Sequence, residues 1–403
     1  MWNEEIREKL RKEILPSLEK EVWSLNDDMA EHPELGSHEF ESSRKMVEMM
    51  RSHGIEVEYP YCDIPTAFRA VINPGGKKKA AFLAEYDALP EIGHGCGHCA
   101  SGMASLMAAL AVHEIRDSLG DVEIDVIGTP DEELGGGKVL LQRAGAFDDF
   151  DFAAMVHMNA TDIAEVRFSA IDGMQFIFHG APAHAAACPE KGRNALNATR
   201  LLFDSTDMMR QHVIKDAIIS GYIAEGGKAS NIVPDLAQAN FVTRAPRRDQ
   251  LNDITAWVKD CARAAAMATR TEVEILPDGV DYDGFQPVKS EIELLEECFA
   301  AIGRPLPEDA GALNGGSSDI GNVSSSCVAF HPMIGIGAGL VAHTREFAEA
   351  MTCDVTHQAI TDSAALLLEI TWRLFTDDAL LEKIKKDHFD ALNAWQGSNI
   401  NKE

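Results

Sequence analysis

Basic residues are scarce in this 403-residue chain: 36 lysines and arginines face 65 aspartates and glutamates, for a formal charge of -29. That imbalance repels phosphate backbones and anionic membrane surfaces, which argues against nucleic-acid binding and against a membrane-surface role. No stretch offers the roughly 18 uninterrupted apolar residues of a membrane span. The N-terminus, Met1 to Leu10, mixes both signs of charge where a signal peptide would carry an apolar run. A cytoplasmic address is therefore expected. The eight cysteines share no repeated spacing, so no disulfide framework is indicated, and neither internal repeats nor low-complexity segments occur. What remains is an ordinary globular composition, 45% hydrophobic and 25% charged. The chain is too long for one hydrophobic core, and two domains are expected.

Residues 1–54 read as helical. Ile6, Leu10 and Ile14 are spaced by four, Leu18, Val22 and Leu25 follow Pro16, and a second amphipathic segment with Met46, Met49 and Met50 ends at Gly54. From Ala80 the rhythm changes. Short apolar strands at 80–84, 122–127 and 152–156 alternate with helices, which predicts a mostly parallel sheet whose ligands gather beyond the carboxyl ends of its strands. Within 171–284 the elements read β-α-β-β-α-β, with strands at 174–179, 217–224, 236–243 and 271–276 and helices at 194–212 and 248–268. This describes a compact ferredoxin-like insert. A helix at 291–302, a strand at 327–331 and a helix at 356–375 then resume the first domain, and the polar tail 396–403 is expected to fray.

The densest chemistry lies in Gly93-His94-Gly95-Cys96-Gly97-His98-Cys99. Imidazole and thiolate are strong ligands for zinc-like ions, and glycines let the backbone close around one. The same residues also read as a CxxC redox pair opening a helix, or as a structural turn, and the heptapeptide alone leaves all three open. Asp131-Glu132-Glu133 follows a predicted strand and precedes Gly135-Gly136-Gly137. Three acids are usually a solvated surface, but between a strand end and a glycine run one carboxylate can bind a metal while its neighbour handles protons. His157 and His343 each follow a strand or a glycine-rich run. Either alone reads as a hydrogen-bonded core residue, and position is what gives them weight. In the insert, His184 sits among alanines, Asn231 lies in Ser230-Asn231-Ile232-Val233-Pro234, and Arg244 interrupts an apolar strand. Guanidinium is rarely placed there unless it is paired or binds a carboxylate.

Taken in order, these motifs resemble the M20 family of metallopeptidases and amidohydrolases. The matching segments are His32-Pro33-Glu34-Leu35-Gly36, Asp87-Ala88-Leu89-Pro90, His94 to His98, Gly128 to Gly137, His157, Gly180 to Ala186, Ser230 to Pro234, Ser317 to Ser324, and His343 to Phe347. The likeness spans nearly the whole chain. It is greatest to the branch whose metal loop reads Gly-His-x-Cys-Gly-His, which includes p-aminobenzoyl-glutamate hydrolases and aminoacylase-1-like dipeptidases.

The resemblance implies a two-domain α/β fold, with a mixed-sheet catalytic domain at 1–170 and 285–403 and a ferredoxin-like lid and dimerisation domain at 171–284. It also implies two divalent metal ions per subunit, Zn2+ or Mn2+, on Cys96, His98, Glu133, His157 and His343. Glu132 would be the general base, and His184 would reach the partner subunit's site to steady the tetrahedral oxyanion. Asn231 and Arg244 would hold the substrate carboxylate. The implied activity is hydrolysis of the amide bond of N-acyl or N-aroyl amino acids by metal-bound hydroxide, in a homodimer formed through the lid. A dipeptidase for unusual dipeptides is the alternative within enzymes, and a CxxC thiol oxidoreductase the alternative outside hydrolases. Two positions depart from the family pattern: Cys99, where Asp or Asn is common, and Arg345, where proline is common.

Overall fold

The structure, a computed structural model, describes residues 2–307 and 310–394. The expected frayed tail at 396–403 lies outside the described residues. Two compact units emerge: one comprises Met1–Arg167, Gln286–Asn314 and Asp319–Glu403, the other Phe168–Phe285 and Gly315–Ser318. Their two larger sheets use, in chain order, β1 (Val57–Glu58), β2 (Phe68–Ile72), β3 (Lys78–Ala84), β4 (Val122–Gly128), β5 (Phe152–Ala154), β6 (Ala170–His179), β7 (Ile218–Glu225), β8 (Leu236–Ala245), β9 (Glu272–Pro277) and β10 (Val328–Phe330).

In the first unit the strand order is β1-β2-β4-β3-β5-β10. β4, β3, β5 and β10 run parallel, while β1 and β2 add an antiparallel edge. Parallel strands are buried on both faces and read as near-continuous apolar runs. β4 follows that rule, all seven of its residues being buried. Helix His98–Glu114 packs on β3 and against helices Leu15–Glu31 and Asp354–Thr376. It is buried all round from His98 to Val112, which explains its alanine-, leucine- and methionine-rich composition without a polar face. Pro16 does not separate two helices. It sits in the first turn of Leu15–Glu31, which continues directly from the π-helical turn at Leu10–Ile14, and that wider turn is where the helical run accommodates a residue with no N–H to donate. β2 and the helix Asp378–Asn393 were not expected, although β2 alternates in burial along Phe68–Ile72 and the helix buries Leu381, Ile384 and His388 at helical spacing.

The register sets the site. Ala84 of β3 pairs with Gly128 of β4, and Thr129 N–H donates to the Ala84 carbonyl at 2.8 Å, so Glu85 and Thr129 leave the sheet side by side. His157 follows β5 and His331 follows β10, both at carboxyl ends of parallel strands.

The second unit has its own core, centred on Phe176, Phe178, Leu202, Phe241, Leu251 and Val258. Its strand order is β9-β6-β8-β7, with every neighbouring pair antiparallel and helices Ala195–Met209 and Arg248–Thr269 between strands in sequence.

Candidate metal centre

Cys96, His98, Glu132, Glu133, His157 and His343 come together in the first unit. Three sets of donor atoms each lie within 4.8 Å of one another: Cys96, His98 and His157; Cys96, Glu133 and His343; and His98, Glu132 and Glu133. Cys96 belongs to the first two sets, and its Sγ is 3.5 Å from His157 Nε2.

Local backbone geometry explains the convergence. Gly97 precedes helix His98–Glu114 in the left-handed region at φ 85°, and a Cβ there would stand 2.8 Å from Met158 Cβ, so only glycine brings His98 in this close. His98 Nδ1 lies 2.8 Å from Asp87 Oδ1, and Asp87 Oδ2 accepts the Glu133 N–H at 3.0 Å. One buried carboxylate therefore orients the histidine and fixes the acidic loop, leaving His98 Nε2 for a cation. His157 is oriented by its own neighbour: its Nδ1 is 2.8 Å from the Met158 carbonyl. Asp131 turns the acidic loop at φ 60°, held by Ser37 Oγ, by the Gly135 N–H at 2.9 Å, and by its own N–H donating to Glu39 at 2.7 Å. Left-handed geometry at a non-glycine residue is unusual and clusters at functional sites. His343 repeats it at φ 65°, its N–H donating to the Gly95 carbonyl at 2.7 Å and its Nε2 standing 3.5 Å from Glu133 Oε1.

The electrostatics follow from burial and crowding. Burial opposes charge on His98, but Asp87, Cys96 and Glu85 together outweigh it and hold its pKa well above the ordinary histidine value. Burial lowers the pKa of His157, which favours the neutral imidazole that binds metals. Burial, then Asp319 and Glu85, lift Glu132 well above the carboxylate range. The donors fit a divalent cation on one further observation. Among the described residues, His98 Nε2 and Glu133 Oε1 are buried without a hydrogen-bond partner, an expensive arrangement that an ion among nitrogen, sulfur and oxygen donors would relieve.

Cys99 faces the core and is fully buried, and burial pushes its thiol up to about 12. Redox-active CxxC pairs need a lowered thiol pKa, so the oxidoreductase reading finds no support. Arg345 is exposed at the start of the short helix Arg345–Glu349. Four further buried residues lie beside the donors without being evident from sequence: Glu85, Lys138, Asp319 and His331. The available signals were an acid at the end of an apolar strand and a lysine directly after the triple glycine.

In the second unit, His184 bridges Ile232, and the Ala185 N–H donates to the Asn231 carbonyl, which makes the His184 and Asn231 segments neighbours. Both residues are exposed. Arg244 is half-buried, donates to Ser317 Oγ at 2.7 Å, and is paired with no described carboxylate.

A family model described as Peptidase family M20/M25/M40 matches residues 81–367, more than half of the chain. The chain belongs to this family. It is a hydrolytic enzyme acting on amide or peptide bonds. The M20 chain is 32% identical over 389 residues to Xaa-Arg dipeptidase of Mus musculus, covering 93% of this chain and 89% of the relative. It is 27% identical over 441 residues to a p-aminobenzoyl-glutamate hydrolase polypeptide of Escherichia coli, covering 90% of each. Among solved structures, a dinuclear metal-binding M20 peptidase from Bacillus subtilis shares the fold, with a TM-score of 0.67 and 18% identity over 88% of this chain and 99% of that one. No helix among the described residues is long and apolar enough to cross a membrane.

Proposed function

We propose that this M20 chain holds two divalent ions, one on Cys96, His98 and His157 and the other on Cys96, Glu133 and His343, and hydrolyses the amide bond of a small substrate with a free carboxylate on the leaving side. The observation that carries the reading is the convergence of these donors around buried, unpartnered His98 Nε2 and Glu133 Oε1. When bound, such ions polarise a scissile carbonyl and lower the pKa of an attacking water. The donor set suits zinc and manganese alike.

The chain's own residues supply the rest. Asp87 holds His98 in one tautomer while anchoring the Glu133 backbone. Glu132, which lies in a donor set with His98 and Glu133, takes the proton of the attacking water and returns it to the leaving amine. His184 of one subunit steadies the oxyanion in its partner's site, and Asn231 and Arg244 hold the substrate carboxylate; the absence of a described carboxylate on Arg244 supports that role. The second unit serves as lid and as dimer interface. β7 is an edge strand that exposes Ile218, Tyr222 and Ile223, and such an edge pairs readily with a second copy.

Acyl-amino-acid and dipeptide substrates both fit this site. The likeness to an Xaa-Arg dipeptidase and the charge of -29, which draws in cations, favour a dipeptide with a basic leaving residue. The test is metal analysis of the purified protein with a hydrolysis panel of Xaa-Arg and Xaa-Lys dipeptides, N-acyl amino acids and p-aminobenzoyl-glutamate, before and after chelation. Fastest cleavage of basic dipeptides is expected, and preference for p-aminobenzoyl-glutamate would transfer the assignment to the aroyl reading. Arg244→Ala should raise KM about 10-fold or more for free carboxylates, as loss of a charged hydrogen bond does. Equal loss on amidated analogues would remove Arg244 from carboxylate binding.

A further inference from the structure

Behind the donors lies a buried ionic cluster that the reaction as described does not use. Lys138, fully buried, donates from Nζ to Glu85 Oε1 at 2.5 Å and to Asp319 Oδ1 at 2.6 Å, while its backbone N–H donates to Asp319 Oδ2 at 2.9 Å. Glu85 and Asp319 are equally buried. Burial opposes the lysine charge, and Asp319, Glu85 and Glu132 more than restore it. Such a cluster is weak as a stabilising device, because well-packed apolar residues of similar volume usually do as well or better.

Its position gives it another use. Lys138 lies one residue past the triple glycine that closes the Glu132–Glu133 loop, and Glu85 lies two residues before Asp87, which orients His98. The second oxygen of Glu85 is buried without a hydrogen-bond partner among the described residues, 3.5 Å from His98 Nε2, the nitrogen left for a cation. The helix carrying His98 is pressed onto this same segment: a Cβ on Gly102 would stand 2.1 Å from the Glu85 carbonyl oxygen.

We propose that Lys138, clamped between Glu85 and Asp319, is a positioning residue for the metal centre. It ties the acidic loop to the strand end that orients His98 and presents the free Glu85 oxygen to the cation side of that histidine. The inference rests on the dinuclear reading above. A clamp of this kind acts through the ligands, and partners that orient ligands typically contribute about 10- to 100-fold to metal affinity or activity.

The test uses the full chain and reads metal binding directly, by equilibrium dialysis with Mn2+ and by the visible spectrum of the Co2+-loaded protein. Lys138→Met should weaken Mn2+ binding about 10- to 100-fold and lower kcat more than it raises KM. Because that variant leaves two buried carboxylates unpaired and can unfold, the neutral triple Glu85→Gln/Lys138→Met/Asp319→Asn decides the matter. Its thermal stability should match or exceed that of the parent, while its Mn2+ affinity stays lowered and its Co2+ spectrum changes. A stable triple variant with parental affinity and spectrum would reduce the cluster to a folding element and overturn the proposal. Cys96→Ser separates the two levels. If the parent takes up no Mn2+, or if Cys96→Ser leaves uptake and the thiolate-to-cobalt band unchanged, the dinuclear reading itself fails, whatever Lys138 does.

Discussion

His98 and His343 are the same residue type in opposite surroundings. His98 is fully buried, opens a helix enclosed on all sides, and is oriented by Asp87. The His343 side chain is 55% exposed, and its position depends on one backbone hydrogen bond to Gly95 and on its left-handed φ. Cys96 stands in a donor set with each. The difference teaches that the candidate centre has a rigid half, ordered by a buried hydrogen bond, and an open half whose exposed donor ring has Glu133 Oε1 at 3.5 Å. Preorganised ligands lose less freedom on binding, so the His98 half should be the tighter of the two.

The largest effect should come from Glu132, which lies in a donor set with His98 and Glu133. Glu132→Gln keeps the shape and removes the proton acceptor, and it should lower kcat about 100- to 10,000-fold with metal content unchanged. Near-parental turnover in a metal-loaded variant would end its assignment as the base. A smaller effect tests the comparison itself. In dialysis against Mn2+, His343→Ala should lose one ion per subunit and keep the other, whereas His98→Ala should lose both, because it removes the buried half that Cys96 also serves. Equal single losses in both variants would break the distinction between a rigid and an open half.

That distinction was only half legible in the sequence. The candidate donors stand out because they sit at element ends in a recognisable order, and two strands of the second unit are readable because β6 and β8 alternate in burial: the expected spans 174–179 and 236–243 lie within the observed Ala170–His179 and Leu236–Ala245. The supporting groups are not legible there. Lys138 and Asp319 are 181 residues apart, and nothing local marks either as the other's partner. Glu85 looks like an ordinary strand-end acid until the fold buries it against His98. A charge is expected at the surface, so the reasoning that finds apolar cores passes over buried ion clusters, which become visible only with tertiary contacts.

The contrast between a fully supported group and a partly supported one recurs among the buried carboxylates, where pH can measure it. Asp87 has both oxygens engaged, and although burial opposes its charge, His98 and the Glu133 N–H hold its pKa below the ordinary aspartate value. Asp125, on β4, is equally buried and receives Arg69 Nε at 2.6 Å on one oxygen, but the other has no hydrogen-bond partner among the described residues. Burial dominates there and lifts Asp125 to about 6. Between about pH 4 and pH 6 the folded state therefore holds a proton that the unfolded chain has released, so this group's contribution to stability falls as pH rises through that window. The full shift is worth about 3 kcal/mol, an upper figure because Arg69 is left without its partner when Asp125 is replaced. Urea unfolding of the parent and of Asp125→Asn at pH 4 to 7 should show the parent gaining relative to the variant as pH falls, and a difference independent of pH would mean that Arg69 offsets the burial of Asp125 completely.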